Sequence, residues 1–432
     1  MRIIQVVPGS GDNFYCENCV RDNATVRALS RAGQDVVAVP MYLPPLVDKV
    51  EAIAEAPVFY GGINSWLQQN SGFFRKTPRW IDRIFDSKLL LRLAARKAGS
   101  VRAAGLGELT LSVMKGADGK QVKELDRLIR WLESQPRPDV AHLSTSLLMG
   151  IGIEIKRRLG VPLVCTLQDE DVWLDAMVEP SRTQCWETMT ELGCQVDRFI
   201  AVSRWFGEVM GNRMKIPPEK MAVVPIGVDP GEAPPGPPPA IPAIGYLGRQ
   251  ARSMGLGHLV DAWLDLKKEE RFRSLRLHLS GGQTSDDGPF LAELEETFAR
   301  RGVSGDVRFY DDFGPRARRE FLGSLTILSV PVPSGVAFGA FVVEALAAGV
   351  PVVEPQVGSF PELLGATGGG VLYDPKDPAG LRRALADLLE DPARRSELGR
   401  KGRESVVRDF TLDTMARQMM DVYTAAGAGA KR

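Results

Sequence analysis

The sequence predicts an α/β protein made of two doubly wound parallel-sheet domains facing across a cleft, and three observations carry that prediction. Short apolar strands alternate with longer amphipathic helices, first up to about residue 229 and again from about 244, the rhythm of parallel strands with crossover helices. A chain of 432 residues exceeds what one hydrophobic core organises. Between the two series stands PGEAPPGPPPAIPA, residues 230–243, and proline at that density continues neither a helix nor an inner strand. The expected organisation is a first domain over 1–229, a linker over 230–243, a second domain over 244–408, and a terminal helix with its tail over 409–432.

Composition narrows the function classes. Apolar content of 44% and charged content of 25% are ordinary for a globular protein. Lys plus Arg and Asp plus Glu both total 54, so there is no basic excess and nucleic acid is not an expected partner. No apolar run reaches the roughly 18 residues that span a bilayer. The opening MRIIQVVPGSGDNF reads as a buried strand at Ile3 to Val7 and not as a signal peptide. Five cysteines in this length do not make a disulfide framework, and a reducing cytoplasm is the expected compartment.

In the first series, the strand Arg2 to Val7 is followed by the loop PGSGDNFYCENCVRD and a helix over about 18–32, stopped by Gly33. A Gly-, Ser- and Asp-rich loop at the carboxyl edge of a parallel sheet is where such folds bind ligands, although this one is not a G-x-G-x-x-G fingerprint. Cys16 and Cys19 form a C-x-x-C at the helix entrance; a redox pair or half a zinc site is one reading, and a loop-shaping role is the other and the default. Residues 59–135 interrupt the rhythm as a helical insertion. Within it, 73–103 carries nine basic residues against Asp82 and Asp86, a charge of +7 interleaved with Phe73, Trp80, Phe85 and Leu89. Such a stretch is a candidate for peripheral contact with an anionic membrane, whereas packing on its own domain is the ordinary fate of an amphipathic helix. Strands resume at 138–143, ending in His142, and at 161–167, followed by Gln168-Asp169-Glu170-Asp171.

The second series culminates in SVPVPSGVAFGAFVVEALAAGVPVVEPQVGSFPE, residues 329–362. It reads as a strand over 326–332, a Pro-Ser-Gly loop, a helix from about Phe338-Gly339, and a strand over 350–353. The unpaired N–H groups and positive dipole end of that helix suit an anion such as phosphate. Glu344, about a turn and a half in, is either a solvated helix residue or an acceptor for vicinal sugar hydroxyls.

With these stretches in hand, the chain resembles a GT-B glycosyltransferase of the retaining family 4, two Rossmann-like domains. The resemblance rests on the loop 9–13, VPIGVD at 224–229, YLGRQ at 246–250, PSGVAFGAFVVEALAAGVPVV at 333–353 and VGSFPEL at 357–363. It implies a metal-independent transferase that takes a nucleotide-diphosphate sugar as donor substrate, uses no separate cofactor, and passes the sugar to an acceptor with retention. It further implies that Arg249 and Arg252 are near the diphosphate, and that the N–H groups of Gly339, Ala340, Phe341 and Val342 cap the phosphates. Glu344 takes the ribose hydroxyls, Gly9 and Gly11 belong to the loop that closes over the donor, and His142 keeps a catalytic position of the first domain. The acceptor, of unknown identity, is expected near 9–23, 142–146 and 169–171. The last helix is expected to cross back onto the first domain.

Departures from the family pattern are as informative. Met254 stands where a second diphosphate lysine is usual, with Arg252 as a nearby cation. Val336 stands eight residues before Glu344, where the family has the first glutamate of E-x7-E. Gln168 and Ser144 replace frequent histidines. Losing one preorganised charged contact costs on the order of 100- to 1,000-fold in rate. The sequence therefore leaves two readings open: a hexosyl-type transferase, or a catalytically degenerate GT-B protein that binds nucleotide, sugar or a partner without turnover.

Overall fold

The computed structural model describes residues 1–9, 14–42, 59–60, 103–231 and 236–429. Two compact units divide the chain: Met1–Gly11, Asp22–Pro225 and Met415–Arg432 form the first, Asp12–Arg21 and Ile226–Thr414 the second. The division thus falls at Pro225, ahead of the proline-rich stretch, and it assigns a short N-terminal segment to the second unit. The basic segment 73–102 and Gly11 lie outside the described residues.

The first unit holds a parallel sheet of six strands: β1 (Arg2–Val7), β2 (Asp35–Pro40), β3 (Val140–Leu143), β4 (Leu163–Leu167), β5 (Arg198–Ala201) and β6 (Met221–Val223). Their spatial order is β2-β1-β3-β4-β5-β6. The strands β1, β3 and β4 are apolar along nearly their whole length because helices cover both faces, so no alternation shows in the sequence. Helix α1 (Glu17–Arg31) follows β1 and ends at Gly33, whose φ of 75° reverses the chain. Helices α2 (Ala103–Met114) and α3 (Val122–Glu133) are the described part of the expected insertion. The remaining helices of this unit are α4 (Met149–Leu159), α5 (Glu170–Asp175), α6 (Ser181–Gly193) and α7 (Arg204–Met214).

The second unit repeats the plan with β7 (Ala243–Leu247), β8 (Arg276–Ser280), β9 (Val307–Tyr310), β10 (Ile327–Leu328), β11 (Val352–Pro355) and β12 (Gly370–Tyr373). Their order, β12-β11-β10-β7-β8-β9, reverses direction between β7 and β10. Such a switch point leaves a crevice at the carboxyl ends of the two strands, the usual ligand position of the fold. The helices here are α8 (Leu256–Leu266), α9 (Gly288–Arg301), α10 (Pro315–Gly323), α11 (Ala340–Ala347), α12 (Phe360–Thr367), α13 (Gly380–Glu390) and α14 (Pro392–Asp409). Helix α15 (Leu412–Gly429) starts in the second unit and joins the first from Met415.

One strand is much shorter than the apolar run 326–332 predicts. Ser329 still donates its N–H to the Gly245 carbonyl of β7 at 3.0 Å, but Val330 donates its N–H to the Glu354 carboxylate at 3.0 and 3.3 Å instead of to a backbone carbonyl, and the chain leaves the ladder. Pro331 and Pro333 have no N–H to contribute. Among the described residues, no helix is long and apolar enough to cross a membrane.

Candidate functional site

The loops leaving β7, β8 and β10 in the second unit gather a dense set of charged groups. Arg249 lies two residues beyond β7. Its guanidinium grips Asp287 by one edge, Nε and Nη2 donating at 2.8 and 2.9 Å, with Nη2 also 3.0 Å from the Thr284 hydroxyl. Asp287 is buried, and burial alone would raise its pKa. The Arg249 guanidinium and the Thr284 hydroxyl and N–H outweigh that and hold the carboxyl below its usual range. The arginine is therefore aimed by a fixed carboxylate and stays 33% exposed, with Nη1 outside those bonds. A fork held by one edge still has a second edge for an oxyanion.

Across the switch point, Gly339 caps α11 with φ 90°, a left-handed value that costs an ordinary residue roughly 1–2 kcal/mol. A Cβ there would stand 3.3 Å from the Phe360 ring, a tight contact that the ring would have to yield to. The N–H groups of Gly339 and Ala340 have a partner outside the helix, the Glu17 carboxylate. Val342 differs from the expectation: its N–H bonds to the Gly339 carbonyl at 3.0 Å, because an i→i+3 bond tightens the first helical turn. The Phe341 side chain is buried against Phe360.

Glu344 projects from α11 into a second cluster. Oε1 accepts from Arg318 Nη2 at 3.0 Å, and Oε2 accepts from the Tyr15 hydroxyl at 3.3 Å. Arg318, on α10, also donates to the Phe313 carbonyl at 2.8 Å and lies 5.6 Å over the Tyr15 ring. Burial, then the charges of Glu344 and Glu17, push the Tyr15 phenol well above its ordinary range, so it remains a donor. Glu17 completes the set: Oε2 accepts from the N–H of Gly339 at 3.1 Å and of Ala340 at 2.7 Å. Beneath them Glu354 is fully buried, and burial raises its pKa well above the carboxylate range.

Positions that depart from the expected pattern are equally concrete. Arg252 pairs with Glu293 of α9 at 2.5 Å, and its guanidinium lies 4.6 Å from the Phe290 ring. Met254 offers its carbonyl to the Tyr246 hydroxyl at 3.3 Å. Val336 is half-buried and its carbonyl accepts from Ser359 N–H at 3.2 Å. The cation beside Glu344 is instead Arg318.

In the first unit, Gly9 follows β1 with φ 90°. His142 is 1% exposed and both ring nitrogens are engaged, Nε2 with the Thr166 hydroxyl at 2.7 Å and Nδ1 with the Tyr423 hydroxyl at 3.0 Å. The imidazole thus ties α15 to the sheet of this unit. The loops after β3 and β4 are pinned by buried Glu170, which accepts from Thr145 Oγ1 at 2.8 Å, Ser146 N–H at 3.0 Å and Gln168 N–H at 2.7 Å. Cys16 precedes α1, and its sulfur accepts the Cys19 N–H at 3.3 Å, a capping contact that fits the loop-shaping reading.

Sequence reasoning missed Asp287, Thr284, Arg318, Tyr15 and Glu17. Glu17 lies in the first turn of α1, where an acidic side chain suits its own helix. Nothing local points it at a helix start more than 300 positions away.

Residues 235–405 match the family model of glycosyl transferases group 1, and residues 115–232 match that of glycosyltransferase family 4. The chain belongs to the GT-B glycosyltransferases. The sucrose-phosphate synthase of Thermosynechococcus elongatus has the same fold, with a TM-score of 0.70, 19% identity, and coverage of 99% of this chain and 100% of that one. An Anabaena protein, HepE, solved with UDP and glucose, aligns with a TM-score of 0.68 at 17% identity over 98% and 99% of the two chains. Among curated proteins, the D-inositol 3-phosphate glycosyltransferase of Corynebacterium kroppenstedtii is 29% identical over 183 residues, 42% of this chain. That match spans only 40% of the relative's own length.

Proposed function

We propose that this GT-B chain transfers a sugar from a nucleotide-diphosphate sugar to an acceptor, with the donor held by the second unit. The carrying observation is the grouping of Arg249, the Gly339 and Ala340 N–H groups, and Glu344 around one switch point. A diphosphate needs cations and N–H donors, and a ribose needs a carboxylate that accepts from two hydroxyls. Arg249 is the first cation, aimed by Asp287. Arg318 supplies the second guanidinium in place of the lysine that Met254 replaces. The Anabaena structure with UDP and glucose supports a nucleotide-sugar donor for this fold, and the glycosyltransferase activity named for the Corynebacterium relative supports transfer.

In this reading the bond between the anomeric carbon and the diphosphate oxygen breaks, and one between that carbon and an acceptor hydroxyl forms on the same face. The hydroxyl proton passes to the departing diphosphate oxygen. Charge on the leaving group is met by the two arginines and the helix start, so the reading calls on no metal. The acceptor belongs to the first unit, near the Thr145, Ser146 and Asp169 loops.

The test incubates the full chain with UDP-, GDP- and ADP-sugars and measures released nucleoside diphosphate with and without a panel of hydroxyl acceptors. Turnover of at least one donor is expected. Binding without turnover of any of them would favour the silent reading that Met254 and Val336 motivate, and neither binding nor turnover would reject the proposal.

A further inference from the structure

Every group assigned above to the donor is already engaged by one short segment of the same unit. Phe14 forms an antiparallel bridge with Gly282, and Tyr15 N–H bonds to the Gly281 carbonyl at 2.7 Å, so the segment lies along the loop after β8. Gly281 has φ 114°, and a Cβ there would come within 2.4 Å of the Gly248 carbonyl; glycine lets the β7 and β8 loops meet backbone to backbone beneath the segment. The Phe14 ring lies 5.7 Å from the Arg249 guanidinium and the Tyr15 ring 5.6 Å from that of Arg318. Two successive residues thus span both cations. The Tyr15 hydroxyl sits on Glu344 as a ribose hydroxyl would, and the Glu17 carboxylate takes the two helix N–H donors that a phosphate oxygen would use.

We infer that Phe14–Glu17 is an internal ligand of the donor site, a plug that a nucleoside diphosphate must displace before it binds. The inference rests on the donor-site reading above and adds its regulation. A carboxylate reaching a distant helix start could serve merely as a cap, since Gly339 has no side chain of its own to do so. Capping alone, however, gives no reason for the neighbouring phenol to take Glu344 or for the two rings to cover Arg249 and Arg318. All four contacts together reproduce the pattern of anion, hydroxyl and flat apolar surface that a nucleoside diphosphate presents. Both occupants need the same N–H groups and the same carboxylate, so they exclude each other. The measured affinity is then the intrinsic affinity multiplied by the fraction of molecules with the plug out.

Isothermal titration of UDP, GDP and ADP into the full chain and into Glu17→Ala and Tyr15→Phe tests this. Glu17→Ala removes the two bonds to the Gly339 and Ala340 N–H groups and Tyr15→Phe the one to Glu344, while Arg249, Arg318, Glu344 and the residues of the helix start are kept. Glu17→Ala is expected to lower the dissociation constant of the preferred nucleotide about tenfold or more, the size of a charge-assisted contact, and Tyr15→Phe by a smaller factor in the same direction. Detectable binding by the parent chain with equal or weaker binding by both variants would overturn the plug while leaving the donor reading in place. No binding of any nucleotide by parent or variants would overturn both. Should Glu17→Ala fail to fold by circular dichroism, Tyr15→Phe decides alone, since it keeps the ring and its packing.

Discussion

His142 joins a motif position to a packing one. Its place at the end of β3 matches a catalytic histidine of the family, and its buried imidazole meets a hydroxyl at each nitrogen, Thr166 at Nε2 and Tyr423 at Nδ1. Replacing it with phenylalanine keeps the ring volume and leaves the Thr166 and Tyr423 hydroxyls without this partner. His142→Phe is expected to lower stability to urea by about 1–3 kcal/mol, the cost of stranding buried polar groups. Any loss of transfer should track that destabilisation; a collapsed rate at unchanged stability would instead mark a reacting group. Arg249 and Glu344 were legible because each follows from local pattern, one just past an apolar strand and one at helical spacing from a glycine cap. Tyr15, Glu17 and Arg318 were not, because their partners are set by tertiary placement that no local spacing encodes.

At the scale of elements, the parallel strands were legible wherever helices cover both faces. The error at β10 has a physical cause. An apolar run shows burial, and the run over 326–332 is buried throughout, but backbone bonding to β7 ends with the Ser329 N–H, and at Val330 a side-chain carboxylate takes over from the ladder. A second feature of this unit carries a pH dependence. On β8, His278 Nδ1 lies 3.1 Å from the Ser324 hydroxyl and 3.3 Å from that of Tyr310 on β9. Burial, then the charges of Arg308 and Arg276, push its pKa from 6.5 down to about 4. The folded protein therefore resists a proton that the unfolded chain accepts. The stabilisation is complete above pH 6.5 and is lost progressively as the pH falls towards 4. Urea midpoints at pH 7.5 and pH 4.5 should differ less for His278→Gln than for the parent chain. Equal differences would show that this ring does not titrate as described.

On the scale of the whole molecule, the two series of strands and helices and the proline-rich stretch announce two α/β units, and the structure contains two six-stranded parallel sheets. Segments are exchanged between the units: α15 passes into the first at Met415, as the family resemblance implies, whereas the grouping of Asp12–Arg21 with the second is not given by the pattern. Both exchanges depend on contacts far apart in the chain, and both bear on chemistry. One brings the plug to the donor groups, and the other brings Tyr423 to His142.

The central claim is that the second unit holds the diphosphate of a nucleotide-sugar donor through Arg249. The most direct measurement is nucleoside diphosphate binding by the parent chain and by Arg249→Ala, with thermal unfolding of both as a control for folding. The account predicts that the substitution weakens binding by about tenfold or more while the protein remains folded. Binding of equal strength in the two proteins would contradict it.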